Sequence, residues 1–337
     1  MQDAPMPTQA TRSPASARTA LEVRDLVKDY PGGVRALHGV NLAVAEGEVF
    51  GVLGPNGAGK TTTIGVCTTL VKPTTGQVSL LGCDVTREAT RVRGLIGTVM
   101  ERYEPDRSCT VRQNLYTHCR YFGMGHREAT ARTTELLAAF ALIPFAGLTT
   151  WALSTGMTKH LLVARSMSHH PRVLFLDEPT TGLDPHNRLS LWERVMDVRA
   201  SEGVTVILTT HYMDEAERYC DRLAVLNRGM LVATGTPGEL KKRYGMQTLV
   251  RATVGNLAQV DTARLSRLAG VESVQLPDPD PAQDGGEQEG TVWLRLRGED
   301  AALGGLLDIL QPAQPRDLRV NEPGLENAYL ELTQKAA

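Results

Sequence analysis

Apolar residues fall into short, dense runs rather than long stripes. Leu21 to Tyr30, Val40 to Ala45 and Glu48 to Leu53 read as strands joined by short turns. Gly54 to Gly59 interrupts the pattern, and a helical stretch runs from Lys60 to about Leu70. Gln77 to Leu81 is another strand candidate, and Thr86 to about Phe145 is mostly helical in pattern. Val173 to Leu176 is fully apolar and ends in two acids, as a central parallel strand buried on both faces would. Leu189 to Ala200 reads as a helix and Thr205 to Thr209 as a further buried strand. The alternation predicts an α/β fold with a parallel sheet core.

A change of composition follows Gly245. Residues 1–245 hold 28 Lys+Arg against 24 Asp+Glu, a balance of +4, whereas residues 246–337 hold 8 against 14, a balance of −6. The second stretch carries its own pattern. Strands are expected at Thr248–Val254, Val271–Leu276, Thr291–Arg297 and Asp317–Val320, with helices at Asp261–Leu268, Asp300–Leu310 and Leu325–Thr333. This β-α-β-β-α-β-α order suggests a small α+β, ferredoxin-like domain over residues 246–337. The acidic, Pro/Gly-rich loop at 277–290 is expected to be disordered. Two domains suit 337 residues at roughly 150 residues each.

The net charge of −2 argues against a generic nucleic-acid binder. The five cysteines are odd in number and contain no C-x-x-C pair, so reduced thiols are expected rather than disulfides or zinc. Residues 1–20 are rich in Ala, Thr, Ser and Pro and read as a disordered tail. Leu136 to Thr158 lacks charged side chains and is long enough to span a bilayer. Pro144, Gly147, Ser154 and Gly156 break it, so it reads as a helix end, a loop and a new helix start.

Gly54-Pro55-Asn56-Gly57-Ala58-Gly59-Lys60-Thr61 matches G-x-x-x-x-G-K-[ST] between a strand and a helix, with Thr62 following. Glycines let the amides wrap phosphate oxygens, and the helix start aims its dipole at the same anion. Lys60 is expected at the β- and γ-phosphates and Thr61 at Mg²⁺. Asp177 ends an apolar strand, where a second Mg²⁺ contact belongs, and Glu178 is placed to polarise an attacking water.

These residues resemble the ATP-binding-cassette (ABC) ATPase family over about Leu21 to Gly245. Leu153-Ser154-Thr155-Gly156-Met157 is similar to the family's signature loop, commonly L-S-G-G-Q, and lies about twenty residues before Asp177. Pro179-Thr-Thr-Gly-Leu-Asp184 resembles the loop whose aspartate contacts the other subunit. His211 matches the switch histidine that senses the γ-phosphate, and Tyr30 the aromatic that stacks on adenine. The resemblance implies a P-loop NTPase fold with an antiparallel β subdomain and a helical subdomain at about 86–170. It also implies ATP and Mg²⁺ as cofactors, with Ser154, Thr155, Gly156 and Asp184 serving the ATP of a head-to-tail partner.

Two departures stand out. The family carries a glutamine after the strand resembling Ile96–Val99, where it touches Mg²⁺. Here no glutamine lies between Gln77 and Gln113, and Glu101 is the candidate for that position. The signature is followed by Thr158-Lys159-His160 instead of a longer glutamine/basic run ending in arginine. The L-S-T-G-M form and the ending Pro323 to Thr333 are similar to ATPase subunits of ABC-2-type exporters, including drug and antibiotic resistance exporters. That resemblance implies a transport-coupled ATPase acting as a homodimer, or with a paralogous subunit. It would drive a permease on a separate chain from the cytoplasmic face of the membrane, with no nucleic acid involved. An importer ATPase, or a non-transport ABC ATPase working on ribosomes or DNA, is the alternative.

Overall fold

The computed structural model describes residues 18–101, 103–244, 247–268, 270–276, 290–297, 303–321 and 324–334. Residues 1–17 of the expected tail and 277–289 of the expected loop lie outside them. The chain folds as two compact units, Met1–Phe50 with Thr61–Thr209, and Gly51–Lys60 with Thr210–Ala337. The boundary expected near 245 falls inside the second.

In the first unit, β1 (Thr19–Tyr30), β2 (Val34–Ala45), β4 (Thr75–Leu80) and β5 (Cys83–Asp84) form an antiparallel sheet in the order β2-β1-β4-β5. β1 begins two residues before the expected start, because Ala20 and Leu21 are buried. β3 (Val49–Leu53) begins here and ends in the second unit, and α1 (Lys60–Cys67) follows it across the same division. Next come α2 (Ala89–Leu95), β6 (Ile96–Val99), α3 (Val111–Tyr121), α4 (His126–Ala139), α5 (Thr155–Ser166), β7 (Val173–Asp177), α6 (Pro185–Glu202) and β8 (Thr205–Thr210).

β6, β7 and β8 are parallel, with Val99 opposite Leu176 and Asp177 opposite Thr209. Every residue of β7 and β8 is buried, as their unbroken apolar runs require. α5 packs on β6, α3, α4 and α6. Caps fix the helix starts: Thr110 and Gln113 form a capping box on α3, and Asp184 caps α6 ahead of Pro185. Among the described residues, no helix is long and apolar enough to cross a membrane.

His118 and His169 lie between these helices. His118 Nδ1 meets Ser168 Oγ at 2.6 Å, His169 Nε2 donates to the Ile96 carbonyl at 2.9 Å, and Phe122 stacks on His169 at 3.6 Å. Burial pushes both imidazoles down to about 4. The unfolded chain therefore binds more protons than the folded one once pH falls below about 6.5. Stability is expected to drop by up to about 3 kcal/mol per imidazole between pH 6.5 and 4. Denaturant midpoints across that window should show the slope, and His169→Phe should reduce it by about half.

The second unit adds α7 (Met213–Tyr219), β9 (Arg222–Asn227), β10 (Met230–Gly235), α8 (Pro237–Tyr244), β11 (Gln247–Val254), α9 (Thr262–Ser266), β12 (Val271–Gln275), β13 (Gly290–Arg297), α10 (Leu303–Leu310), β14 (Pro315–Asn321) and α11 (Leu325–Gln334). The four last strands form an antiparallel sheet in the order β12-β13-β11-β14, the split arrangement that the β-α-β-β-α-β pattern anticipates. Val250, Ala252 and Val254 alternate inward with Val292, Leu294 and Leu296 onto Leu265, Leu306 and Leu310. α11 turns back from this sheet and packs on α7, α8, β9 and β10.

Candidate nucleotide site

The phosphate loop belongs to the second unit. Gly57 and Gly59 have positive φ of 80° and 99°, which turns successive amides along the loop. Gly54 is dictated by space, since a Cβ there would sit 2.5 Å from the Leu226 carbonyl. Ala58 N–H donates to the Pro55 carbonyl, and Gly229 N–H donates to the Ala58 carbonyl at 3.0 Å. The Lys60 ammonium is buried and donates to the Gly54 carbonyl at 2.7 Å. The loop is thus closed around its own lysine.

The carboxylates belong to the first unit. Asp177 is 1% exposed at the end of β7. Its Oδ1 accepts from Thr209 Oγ1 at 2.6 Å and from Thr61 Oγ1 at 3.5 Å. Its Oδ2 is buried with no hydrogen-bond partner among the described residues. A buried, unsatisfied acid oxygen beside a threonine hydroxyl is the donor chemistry a hard divalent cation takes. Among the described residues, no three His, Cys, Asp or Glu side chains converge on a metal-sized site. A cation held by Asp177 and Thr61 would therefore need oxygens from the nucleotide, as Mg²⁺ sites usually do.

Glu178 turns the chain sharply, with φ at +48°. Its N–H donates to Thr209 Oγ1 at 3.0 Å, and its Oε2 accepts from Thr181 Oγ1 at 3.1 Å. Thr209 thus orients both acids through one hydroxyl. Glu101 follows β6 and is exposed. β6 ends at Val99 opposite Leu176 of β7, so Glu101 and Glu178 follow the C-terminal ends of neighbouring parallel strands. The half-buried Lys159 lies in the field of Glu101, Asp177 and Glu178. Burial lowers its pKa, while the three acids oppose that shift.

Tyr30 leaves its ring half in solvent, with its hydroxyl 3.5 Å from Thr62 Oγ1 and Lys28 above the ring. His211 is exposed after β8 and lies against the Tyr212 ring, 4.2 Å between centroids. Ser154 caps α5, its Oγ accepting from Met157 N–H at 3.2 Å, and both Ser154 and Thr155 are exposed. Gly156 is buried, and a Cβ there would meet the Asn187 side chain at 2.9 Å. Asn187 in turn donates to Asp184 through its backbone and its amide, and these bonds hold the Asp184 carboxyl below its ordinary range. The signature loop and the Asp184 loop are thus joined through Asn187. Sequence reasoning singled out neither Asn187 nor Thr209 nor Thr181. Gly156→Ala is expected to push Asn187 aside and cut ATPase activity about tenfold or more, with ATP affinity of the free chain retained. Steady-state hydrolysis beside a binding titration checks both halves.

The ABC transporter family model matches residues 37–181. A daunorubicin resistance ATP-binding protein, DrrA3 of Streptomyces coeruleorubidus, is 39% identical over 319 residues, covering 94% of this chain and 96% of that protein. The chain belongs to the ABC transporter ATP-binding protein family. It is an ATPase of that family, whose members bind ATP. The Nod factor export ATP-binding protein I of Rhizobium meliloti (strain 1021) is 42% identical over 70% of this chain and 70% of its own length. Among solved structures, a dimeric ATP-binding cassette in a post-hydrolysis state with ADP and Pi matches with a TM-score of 0.60 and 26% identity, covering 64% of this chain and 98% of its own. The ABC ATPase fold, with a P-loop and mixed parallel and antiparallel sheets, is therefore present as expected.

Proposed function

We propose that this chain is the ATP-hydrolysing engine of an ABC-2-type exporter. The observation that carries this is the reach of the similarity. It covers 94% of the chain, more than the cassette alone could supply, and reaches a protein named for daunorubicin resistance. An importer ATPase would share the cassette motifs alone. A drug or antibiotic is the substrate class we assign. The permease is a separate chain, which places the protein at the inner face of the membrane.

Lys60 and the amides of Gly54 to Gly59 bind the β- and γ-phosphates, and Thr62 extends the cradle along α1. Tyr30 offers its ring to the adenine. Thr61 and Asp177 hold Mg²⁺, which when bound neutralises phosphate charge. Glu178, held by Thr209 and Thr181, accepts a proton from the attacking water, and His211 contacts the γ-phosphate. Ser154, Thr155, Gly156 and Asp184 serve the ATP of a second copy paired head to tail, since the chain carries one copy of each motif. Glu101 completes the metal surroundings in place of a glutamine, with Lys159 offsetting its charge.

Lys60→Ala is the direct test of the phosphate loop. ATP affinity in a calorimetric titration is expected to fall at least about tenfold, and unchanged affinity would refute the assignment. A pull-down from detergent-solubilised membranes is expected to recover a polytopic partner. Glu101→Gln should raise basal ATPase activity or shift its pH optimum, because glutamine can donate to water where an ionised glutamate only accepts. A pH–rate profile superimposable on wild type would mean that Glu101 stays in solvent.

A further inference from the structure

The structure assigns Asn227 as a positioning residue for the phosphate loop, tying the end of the C-terminal helix α11 to the hairpin that walls that loop. All groups involved belong to the second unit.

β9 and β10 form a tight antiparallel hairpin in which Asn227 pairs with Met230. Its turn residues, Arg228 and Gly229, both have positive φ, 48° and 75°, which fixes the approach of the two strands. One side of this turn meets the phosphate loop. Gly229 N–H donates to the Ala58 carbonyl, and the Leu226 carbonyl leaves no room for a side chain at Gly54. The loop's first glycine and its middle thus both rest on residues flanking Asn227.

The Asn227 side chain is 4% exposed and donates through Nδ2 to the Thr333 carbonyl at 2.9 Å. Thr333 lies in the last turn of α11, where carbonyls have no partner within the helix. The amide of Asn227 supplies the missing donor. The Thr333 hydroxyl is bonded back to the Tyr329 carbonyl at 2.9 Å, so only the backbone oxygen points to the hairpin. Leu325, Ala328 and Leu332 bury the same helix face. A residue 106 positions away in sequence therefore braces the turn on which Gly54 and Ala58 rest.

A brace of this kind acts on nucleotide affinity rather than on the chemical step. Removing it leaves a half-buried carbonyl without its donor and frees the turn to shift. Asn227→Ala in the full chain is expected to raise the KM for Mg²⁺-ATP about three- to tenfold, with kcat within about twofold of wild type. Hydrogen exchange on the nucleotide-free protein should quicken at Gly229 and across Gly54 to Lys60. Asn227→Asp, which cannot donate, should behave alike. Leu332→Ala, which removes packing but keeps the hydrogen bond, should lower Tm with KM unchanged. A folded Asn227→Ala with wild-type KM, or faster exchange confined to α11, would overturn the assignment. Should that variant not fold, Asn227→Ser is read on the same two measurements. The inference rests on the phosphate-loop reading, and Lys60→Ala separates the two. If Lys60→Ala abolishes ATP binding while Asn227→Ala leaves KM alone, only the brace fails.

Discussion

Glu178→Gln is expected to bind ATP with undiminished affinity and to hydrolyse it about 10²–10⁴ times more slowly. The substitution keeps the shape of the side chain. The Glu178 amide still donates to Thr209, and a glutamine carbonyl still accepts from Thr181 as the carboxylate does at 3.1 Å. Only the capacity to take a proton is lost. The positive φ at this residue is already met by a non-glycine side chain, so the fold should not respond to the change. If ATP joins two head-to-tail copies as proposed, it should persist once hydrolysis is blocked, and the variant should elute as an ATP-dependent dimer. Size-exclusion chromatography with and without Mg²⁺-ATP, beside a phosphate-release assay, checks both statements. Hydrolysis at the wild-type rate would remove Glu178 from the catalytic role.

The phosphate loop was legible because its chemistry is local. Strand, glycine turn and lysine lie within a dozen residues, and each is demanded by backbone geometry. β7 and β8 were legible because burial on both faces leaves an unbroken apolar run. The C-terminal strand order was legible in the β-α-β-β-α-β succession of elements, which implies a split arrangement. Contacts between distant residues leave no such trace. Thr209 on Asp177, Asn187 on Gly156 and Asn227 on Thr333 join residues 32, 31 and 106 positions apart, and each partner is an ordinary polar residue in its own stretch. The β9–β10 hairpin did leave a signal in the run Leu223-Ala-Val-Leu226 followed by Arg228-Gly229. Its importance to the phosphate loop needed the Gly229–Ala58 hydrogen bond to be seen.

Asp177→Asn is expected to stabilise the nucleotide-free protein and to abolish its response to Mg²⁺. Oδ1 is satisfied by Thr209 and Thr61, whereas Oδ2 is buried without a partner among the described residues. An unpaired buried acceptor costs about 1–3 kcal/mol, more when charged. Asparagine keeps the accepting oxygen for Thr209 and replaces the charged one by a neutral amide, which is cheaper to bury. Thermal unfolding without nucleotide should therefore move upward by a few degrees, the trade of function for stability expected at a strained site. The same change removes the charge that would hold a divalent cation, so Mg²⁺ should no longer add to the stabilisation that ATP alone provides. Comparing unfolding midpoints with ATP plus EDTA and with ATP plus Mg²⁺ isolates that difference without any turnover. Wild-type protein should separate the two curves and Asp177→Asn should superimpose them. A variant whose empty form melts lower than wild type would mean that the second oxygen has a partner in solution. One that still gains stability from Mg²⁺ would place the metal elsewhere.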